Sequence, residues 1–181
     1  MNNNIEVLLS EKEIKQRVSE LADELKEHYP EKIRCAVVLT GAMVFFSDLM
    51  RELNKREINV YFTPIKVSSY QGMESTGEVH FELQPSSDFI IKDKSIVLIE
   101  DIVDTGYTGN FLKNYFTSQG AKEVKMCTLL DKPSKRAPGY ELKPDYVGFR
   151  IEDKFVIGYG LDFNQGYRDL PFVGFFKKSP L

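Results

Sequence analysis

Residues 97–109, VLIEDIVDTGYTG, decide the fold of this chain, because they join an apolar strand to two adjacent carboxylates and a turn rich in glycine and threonine. The aliphatic run VLI is typical of a strand that is buried on both faces of a parallel sheet. Glu100 and Asp101 are expected at the carboxyl end of this strand, where open α/β sheets bind their ligands. Two acidic side chains there can bind a sugar diol or a divalent cation.

The turn that follows predicts a binding site for a phosphate monoester. Glycine permits a close turn, hydroxyl groups donate hydrogen bonds, and free amides at the start of the next helix attract an anion. The residues of the turn are Asp104, Thr105, Gly106, Tyr107 and Thr108. Such a cluster also occurs as an ordinary helix N-cap, and acidic pairs are common at strand ends. A binding site is favoured here because the acidic pair and the turn follow one another directly after an apolar strand. The Gly-Lys-Ser/Thr ending of a P-loop and the GxGxxG dinucleotide pattern are both missing from the stretch.

The composition predicts a single domain over residues 1–181, with 42% hydrophobic and 28% charged residues. A formal charge of −3 argues against a general nucleic-acid surface. The sequence starts without a secretion pattern and contains no apolar run of membrane-spanning length, which predicts a cytoplasmic protein with no membrane partner. Cys35 and Cys127 lie in apolar runs and are expected as packed, reduced thiols, while His28 and His80 lack the spacing of zinc ligands.

Hydrophobic patterns predict alternating helices and strands, and therefore an α/β fold with parallel pairing and right-handed crossovers. An amphipathic helix is expected from Ser10, whose capping-box spacing with Glu13 marks its start. The other expected elements are helices at 45–53 and 109–118, strands at 34–39, 60–67, 79–83, 95–99 and 123–130, and short strands at 146–149 and 155–159. The terminal segments are expected to pack together over the carboxyl edge of the sheet.

As a whole, residues 97–109 resemble the phosphoribosyl-pyrophosphate signature of the type I phosphoribosyltransferases. Further segments extend the resemblance over nearly the whole chain, to the branch that salvages 6-oxopurines of the hypoxanthine-guanine type. These segments are LTGA at 39–42, SSYQGMESTG at 68–77, LDKPS at 130–134, DKFVIGYGLD at 153–162 and YRDLP at 167–171.

The resemblance implies a parallel-sheet α/β core with a small hood built from the terminal segments. It also implies transfer of a 5-phosphoribosyl group from phosphoribosyl pyrophosphate to N9 of hypoxanthine or guanine, assisted by Mg²⁺, to give a purine nucleotide and pyrophosphate. Relatives of this kind form homodimers or homotetramers.

The same resemblance assigns roles around the sugar phosphate. Asp104 would exchange a proton with the purine N7 as general acid/base, and residues 104–108 would bind the 5′-phosphate. Glu100 and Asp101 would hold the ribose hydroxyls, directly or through Mg²⁺, with Asp162 as a further ligand of the metal beside the base.

At the base, Lys132 would donate a hydrogen bond to the purine O6, which adenine replaces with an amino donor. Phe155 would stack on the base, and the backbone of Val156 would pair with its polar edge. Without the resemblance, Lys132 would be interpreted as a solvated loop lysine and Phe155 as a core aromatic.

Pyrophosphate would be bound by the backbone at Thr40 and Gly41 and by the cation Arg168. Thr40 departs from the family pattern, because many relatives have a basic residue there. Without the family, Asp162 and Arg168 are equally compatible with a surface ion pair. Ser69 and Tyr70 match the start of the mobile loop that closes over the reaction in this family.

Two alternative functions stay open. A regulatory relative would keep the fold and bind a nucleotide, but it would need a basic face for RNA or DNA and could lose the catalytic side chains. An enzyme of the same fold could prefer xanthine, because recognition at the purine C2 depends on backbone and water. Lys132 with Phe155 argues against a pyrimidine base.

Overall fold

In a computed structural model, which describes residues 4–69 and 79–178, the chain folds around a six-stranded sheet and a separate two-stranded sheet. The strands are β1 (Ile5–Leu9), β2 (Lys32–Val38), β3 (Asn59–Ser69), β4 (Val79–Leu83), β5 (Ser95–Val103), β6 (Glu123–Asp131), β7 (Tyr146–Arg150) and β8 (Val173–Phe176). The helices are α1 (Glu11–His28), α2 (Ala42–Lys55) and α3 (Tyr107–Ser118), with a 3₁₀ turn at Pro133–Lys135.

The large sheet has the strand order β4-β3-β2-β5-β6-β7, and all of its pairings are parallel except β3 with β4. This confirms the predicted α/β fold class. The antiparallel exception follows from chain length, because residues 70–78 are fewer than the dozen or so that a parallel crossover needs.

Both faces of the sheet are buried, as the apolar runs predict. Along β5, Val97 and Ile99 join the cluster formed with α1 and α2, whereas Ile96 and Leu98 join the cluster beneath α3. This alternation is the two-residue period of a strand that is covered on both sides. The cysteines are free and buried, as predicted.

Helix α1 begins where the sequence predicts. Ser10 is its N-cap, and its side chain accepts from the Glu13 amide while Glu13 bonds back to the Ser10 backbone. The buried stripe of Ile14, Leu21 and Leu25 attaches α1 to the sheet. Of the helices in the described residues, none is both long and apolar enough to cross a membrane.

The two ends of the chain meet in the small sheet, where β1 pairs antiparallel with β8. We call this sheet and residues 155–172 the hood. The predicted strand at 155–159 is wrong, because this stretch forms only isolated bridges, from Ile157 to Gly174 and from Gly158 to Leu161. Gly158 and Tyr159 adopt φ values of +94° and +49°, which turn the backbone out of an extended path.

Several element ends differ from the predictions. The apolar run ends at Ile99, but β5 continues to Val103 because its ladder with β6 extends that far, so Glu100 and Asp101 lie inside the strand and not after it. Helix α2 begins at Ala42 and α3 at Tyr107, each earlier than predicted. Strands β1 and β8 were not predicted.

Candidate active site

The candidate site lies at the carboxyl edge of β2, β5 and β6, where a cleft of about 110 Å³ opens. Its lining residues are Val38, Glu100, Asp101, Ile102, Val103, Asp104, Gly106, Thr108 and Gly109. Three parallel strands end at this edge, and the loops that follow them are therefore neighbours. The structure thus brings the two carboxylates and the predicted phosphate loop to one cleft.

The phosphate loop, residues 104–108, leads directly into α3. Gly106 is the N-cap residue and has a φ of +88°, a left-handed conformation that glycine adopts without steric cost. No side chain in the described residues caps α3. The Asp104 carboxylate instead accepts from the amide of Thr105. The first-turn amides of α3 are therefore left for an anion, which favours the phosphate site over an ordinary N-cap.

Glu100 is buried at the floor of the cleft, and its Oε1 atom has no hydrogen-bond partner in the described part of the chain. Burial, together with the charges of Asp101 and Asp104, raises the pKa of Glu100 to about 8. Burial also raises the pKa of Asp101 to about 6, although this carboxylate accepts from the Ile102 amide at 3.0 Å. A buried acceptor without a donor is expected to bind a hydroxyl group or a cation.

Replacing Glu100 with Gln should stabilise the free protein at alkaline pH. The ordinary pKa of 4.5 applies when the chain is unfolded and about 8 when it is folded, so the folded state binds more protons between these values. Stability therefore falls as pH rises through this interval, and an uncharged side chain removes the fall. We expect Glu100→Gln to unfold at a higher temperature than wild type at pH 9, with an advantage that shrinks towards pH 5.

Thermal unfolding across this pH range measures the effect. Glu27→Gln, on the exposed face of α1, is the matched control and should show no growing advantage. A difference in unfolding temperature between Glu100→Gln and wild type that is the same at all pH values would contradict the raised pKa of Glu100 in the folded protein.

The loop after β2 holds Thr40 and Gly41, and it is clamped between β5 and the hood. A Cβ atom on Gly41 would lie 1.6 Å from the Oδ2 atom of Asp101. On the other side, a Cβ atom on Gly160 would lie 2.1 Å from the Gly41 carbonyl oxygen. The peptide bond between Leu39 and Thr40 is cis. Thr40 itself is exposed.

Lys132 follows β6 and is buried, which excludes a solvated loop position. Its Nζ atom donates to the carbonyl of Lys154 at 2.5 Å, and it lies 3.9 Å from the Asp153 carboxylate. Burial lowers the pKa of Lys132. The backbone amide of Lys132 donates to the Val103 carbonyl at 2.9 Å. The lysine is therefore attached to the residue before Asp104.

Phe155 is 61% exposed and makes an edge contact with Phe163 at a centroid distance of 5.9 Å. A core role is therefore excluded, and an exposed ring is available for stacking. Its neighbour Val156 is buried.

Arg168 and Asp162 form an ion pair at 2.8 Å, the arrangement that the sequence alone also allows. Arg168 donates further to the Gly160 carbonyl at 2.6 Å, and its charge opposes the rise in the pKa of Asp101. Asp162 acts on that pKa in the opposite direction. The hood therefore brings both side chains within electrostatic reach of the cleft.

The predicted metal ligands Glu100, Asp101 and Asp162 do not form an all-protein metal site. Across residues 4–69 and 79–178, no three side chains of His, Cys, Asp or Glu converge so that they could hold a metal ion. Mg²⁺ usually keeps several waters and is held by one or two carboxylates and substrate phosphates. Glu100 can serve as one of these one or two carboxylates, because its Oε1 atom has no hydrogen-bond partner in the described residues.

The predicted start of the mobile loop falls at the end of β3. Ser69 is the last residue of β3, where it pairs with Val79, and Tyr70 lies outside the described residues.

Arg136 was not predicted, although its side chain binds the backbone of the phosphate loop. Its partners are mainly carbonyl groups, and no residue pattern in the sequence marks them.

Comparison with known proteins gives concordant results. A family model described as "Phosphoribosyl transferase domain" matches residues 5–164. The chain is 41% identical to the hypoxanthine-guanine phosphoribosyltransferase of Bacillus subtilis (strain 168), over 99% of this chain and 97% of that protein. It is 38% identical to the hypoxanthine-guanine-xanthine phosphoribosyltransferase of Tritrichomonas foetus, over 96% and 92%. A crystal structure of a hypoxanthine phosphoribosyltransferase from Staphylococcus aureus superposes with a TM-score of 0.88 at 36% identity, covering 97% of this chain and 93% of that one.

Proposed function

Because this chain belongs to the phosphoribosyl transferase family, we propose that it is a purine-salvage enzyme that transfers a 5-phosphoribosyl group from phosphoribosyl pyrophosphate to hypoxanthine or guanine. The products are IMP or GMP and pyrophosphate. The observation that carries the proposal is the bond from the Lys132 amide to the Val103 carbonyl, because it joins a buried lysine to the residue before Asp104. Two hydrogen-bonded segments thereby present a base-recognising cation and a proton-accepting carboxylate to the same site.

The substrate class follows from hydrogen-bonding chemistry at Lys132. An ammonium group has three donors and no acceptor, so it pairs with a 6-oxo group and not with the 6-amino group of adenine. In the free protein the Lys154 carbonyl accepts from it, which keeps a buried donor satisfied until a base arrives. The exposed ring of Phe155 supplies the stacking surface.

The sugar phosphate is bound by the other half of the cleft. Amides at the start of α3 and the hydroxyls of Thr105 and Thr108 bind the 5′-phosphate, and Glu100 and Asp101 accept from the ribose hydroxyls. As the bond from the anomeric carbon to pyrophosphate breaks and the bond to N9 forms, the base loses a proton from N7 and the Asp104 carboxylate accepts it.

Pyrophosphate leaves on the side of Thr40, Gly41 and Arg168. Thr40 carries no charge, so the backbone amides of this loop and the Arg168 guanidinium bind the anion. Mg²⁺, held by one or two of the carboxylates Glu100, Asp101 and Asp162 together with substrate oxygens, would offset the charge that develops on pyrophosphate.

A steady-state comparison of hypoxanthine, guanine, xanthine and adenine with phosphoribosyl pyrophosphate tests the function. We expect pyrophosphate release with hypoxanthine or guanine and little with adenine. Xanthine is the second candidate, because the similar Tritrichomonas foetus protein carries xanthine in its name. Release with none of the four bases would overturn the enzyme assignment and favour a nucleotide-binding regulator.

Exposed apolar side chains bear on the assembly of the protein in solution. We propose a cytoplasmic homodimer or homotetramer. Met43 and Phe62 are each about half exposed, and Phe62 contacts Phe46 on the helix that carries Met43, which supports burial of this apolar surface between subunits. Sedimentation velocity distinguishes the two assemblies from a monomer.

Lys132→Gln should raise the KM for hypoxanthine and weaken the rejection of adenine. A neutral amide presents either a donor or an acceptor, and so it no longer discriminates an oxo group from an amino group. The ratio of kcat/KM for hypoxanthine to that for adenine is the measurement, with Lys135→Gln as the control because that lysine is half exposed and pairs with Asp153. Equal ratios in wild type and Lys132→Gln would remove Lys132 from base recognition.

A further inference from the structure

The side chain of Arg136 connects the two loops on which the proposed function depends. It lies after the 3₁₀ turn at Pro133–Lys135 and is 14% exposed. The two N–H donors of its Nη1 atom are shared among the carbonyls of Val103 at 3.0 Å, Asp104 at 2.6 Å and Lys132 at 3.2 Å. One guanidinium nitrogen therefore contacts the start of the phosphate loop and the base-recognising lysine together.

The other two nitrogen atoms of the Arg136 guanidinium group are also hydrogen-bonded. Nη2 donates to the carboxylate of Asp131, the buried last residue of β6, and Nε donates to the Leu142 carbonyl at 2.8 Å. Because a guanidinium group is planar and its donors form a fixed fork, anchoring two nitrogens fixes the direction of the third. Lysine has one nitrogen on a flexible stem and cannot reproduce this geometry.

Backbone bonds on either side of Arg136 join the same two segments. Lys132 donates to the Val103 carbonyl at 2.9 Å, and Ala137 donates to the Thr105 carbonyl at 3.0 Å. The Asp104 carbonyl lies between these two bonds and accepts from Arg136. Hydrogen bonds from a charged donor are about twice as strong as neutral ones, so this contact is expected to restrain the backbone of Asp104 more than a neutral donor would.

We propose that Arg136 is a positioning residue that fixes the phosphate loop and Lys132 at one separation, so that the sugar phosphate and the base bind in register. The proposal rests on the proposed function, since it assigns Lys132 to the base and residues 104–108 to the phosphate. Without the Arg136 guanidinium, the phosphate loop and the segment of Lys132 are both still present, but their relative position changes. A displacement of about 1 Å can lower the rate of an oriented reaction by about 10²-fold.

The test compares Arg136→Lys with Arg17→Lys. Arg17 also donates to two backbone carbonyls, those of Val147 at 2.8 Å and Gly148 at 3.0 Å, but it attaches α1 to β7. We expect Arg136→Lys to lower kcat/KM for both substrates by about 10–10²-fold. Arg17→Lys should stay within about twofold of wild type even where its unfolding temperature falls equally. Activity of Arg136→Lys within twofold of wild type, or parallel losses in both variants, would overturn the proposal.

A double-mutant cycle separates positioning from simple destabilisation. If Arg136 acts through Lys132, the combined variant Lys132→Gln/Arg136→Lys should lose less kcat/KM for hypoxanthine than the product of the two single losses. Multiplicative losses would show that the residues act independently and would count against the proposal.

Hydrogen exchange gives a readout that does not depend on activity. We expect amides 104–106 to exchange faster in Arg136→Lys than in wild type or Arg17→Lys, because the restraint on their backbone is lost. Arg136→Gln, which removes the charge as well, should show the larger change. Unchanged exchange in all variants overturns the positioning role, whereas a wild-type protein that turns over none of the bases overturns only the proposed function.

Discussion

Asp104→Asn is expected to lower turnover by about 10²–10⁴-fold, the range that general acid/base catalysis contributes, while the fold stays intact. Asp104 is exposed, and its carboxylate accepts from the Thr105 amide, a bond that the carbonyl of an asparagine side chain can also accept. The loop can therefore keep its shape. An amide cannot exchange the proton at the purine N7, and the chemical step is slowed.

Single-turnover rates at saturating substrates measure this step without product release. Asp88→Asn is the matched control, because Asp88 is also exposed and also accepts a local bond, from Ser86. It should react like wild type. A rate for Asp104→Asn within twofold of wild type would remove Asp104 from the acid/base role and leave it only a part in shaping the loop.

The sequence predicted the parallel sheet well because its strands are buried on both faces. A strand that is covered on both faces has apolar residues at consecutive positions, as in the run from Val97 to Ile99 of β5. A short continuous apolar run of this kind favours a buried strand. The end of that strand was predicted too early. Glu100 is an ionisable residue that is buried in the structure, and the ladder from Glu100–Thr128 to Val103–Asp131 keeps it inside the strand.

Long-range contacts explain the other differences. Strands β1 and β8 pair with each other across almost the full length of the chain, and neither is long enough to show a clear pattern alone. The resemblance to a family indicated Lys132 and Phe155, but the sequence could not show that the lysine is buried and the aromatic ring exposed. Arg136 was missed because it binds carbonyl groups, which every residue has.

Gly41→Ala should lower kcat/KM for phosphoribosyl pyrophosphate by about 10²-fold, because the methyl group would occupy the position of the Asp101 carboxylate. Backbone strain is not the cause, since Gly41 has a φ of −63°, which alanine adopts readily. The cause is the distance of 1.6 Å between the added Cβ and the Asp101 Oδ2 atom. The loop cannot move away from Asp101, because the Gly41 carbonyl already lies against Gly160 of the hood. Asp101 must therefore rotate away from the position in which it is proposed to bind the ribose.

Gly166→Ala in the hood is the control, because its Cβ would meet only the Phe163 carbonyl, at an ordinary 3.4 Å. It should keep wild-type kinetics. Thermal unfolding of both variants shows how much of the Gly41→Ala effect is lost stability, and kcat/KM is compared at a temperature where both are folded. If Gly41→Ala retains its activity within twofold, Asp101 can leave its position without consequence. In the proposed function the ribose would then be held by Glu100, whose buried Oε1 atom has no hydrogen-bond partner in the described residues.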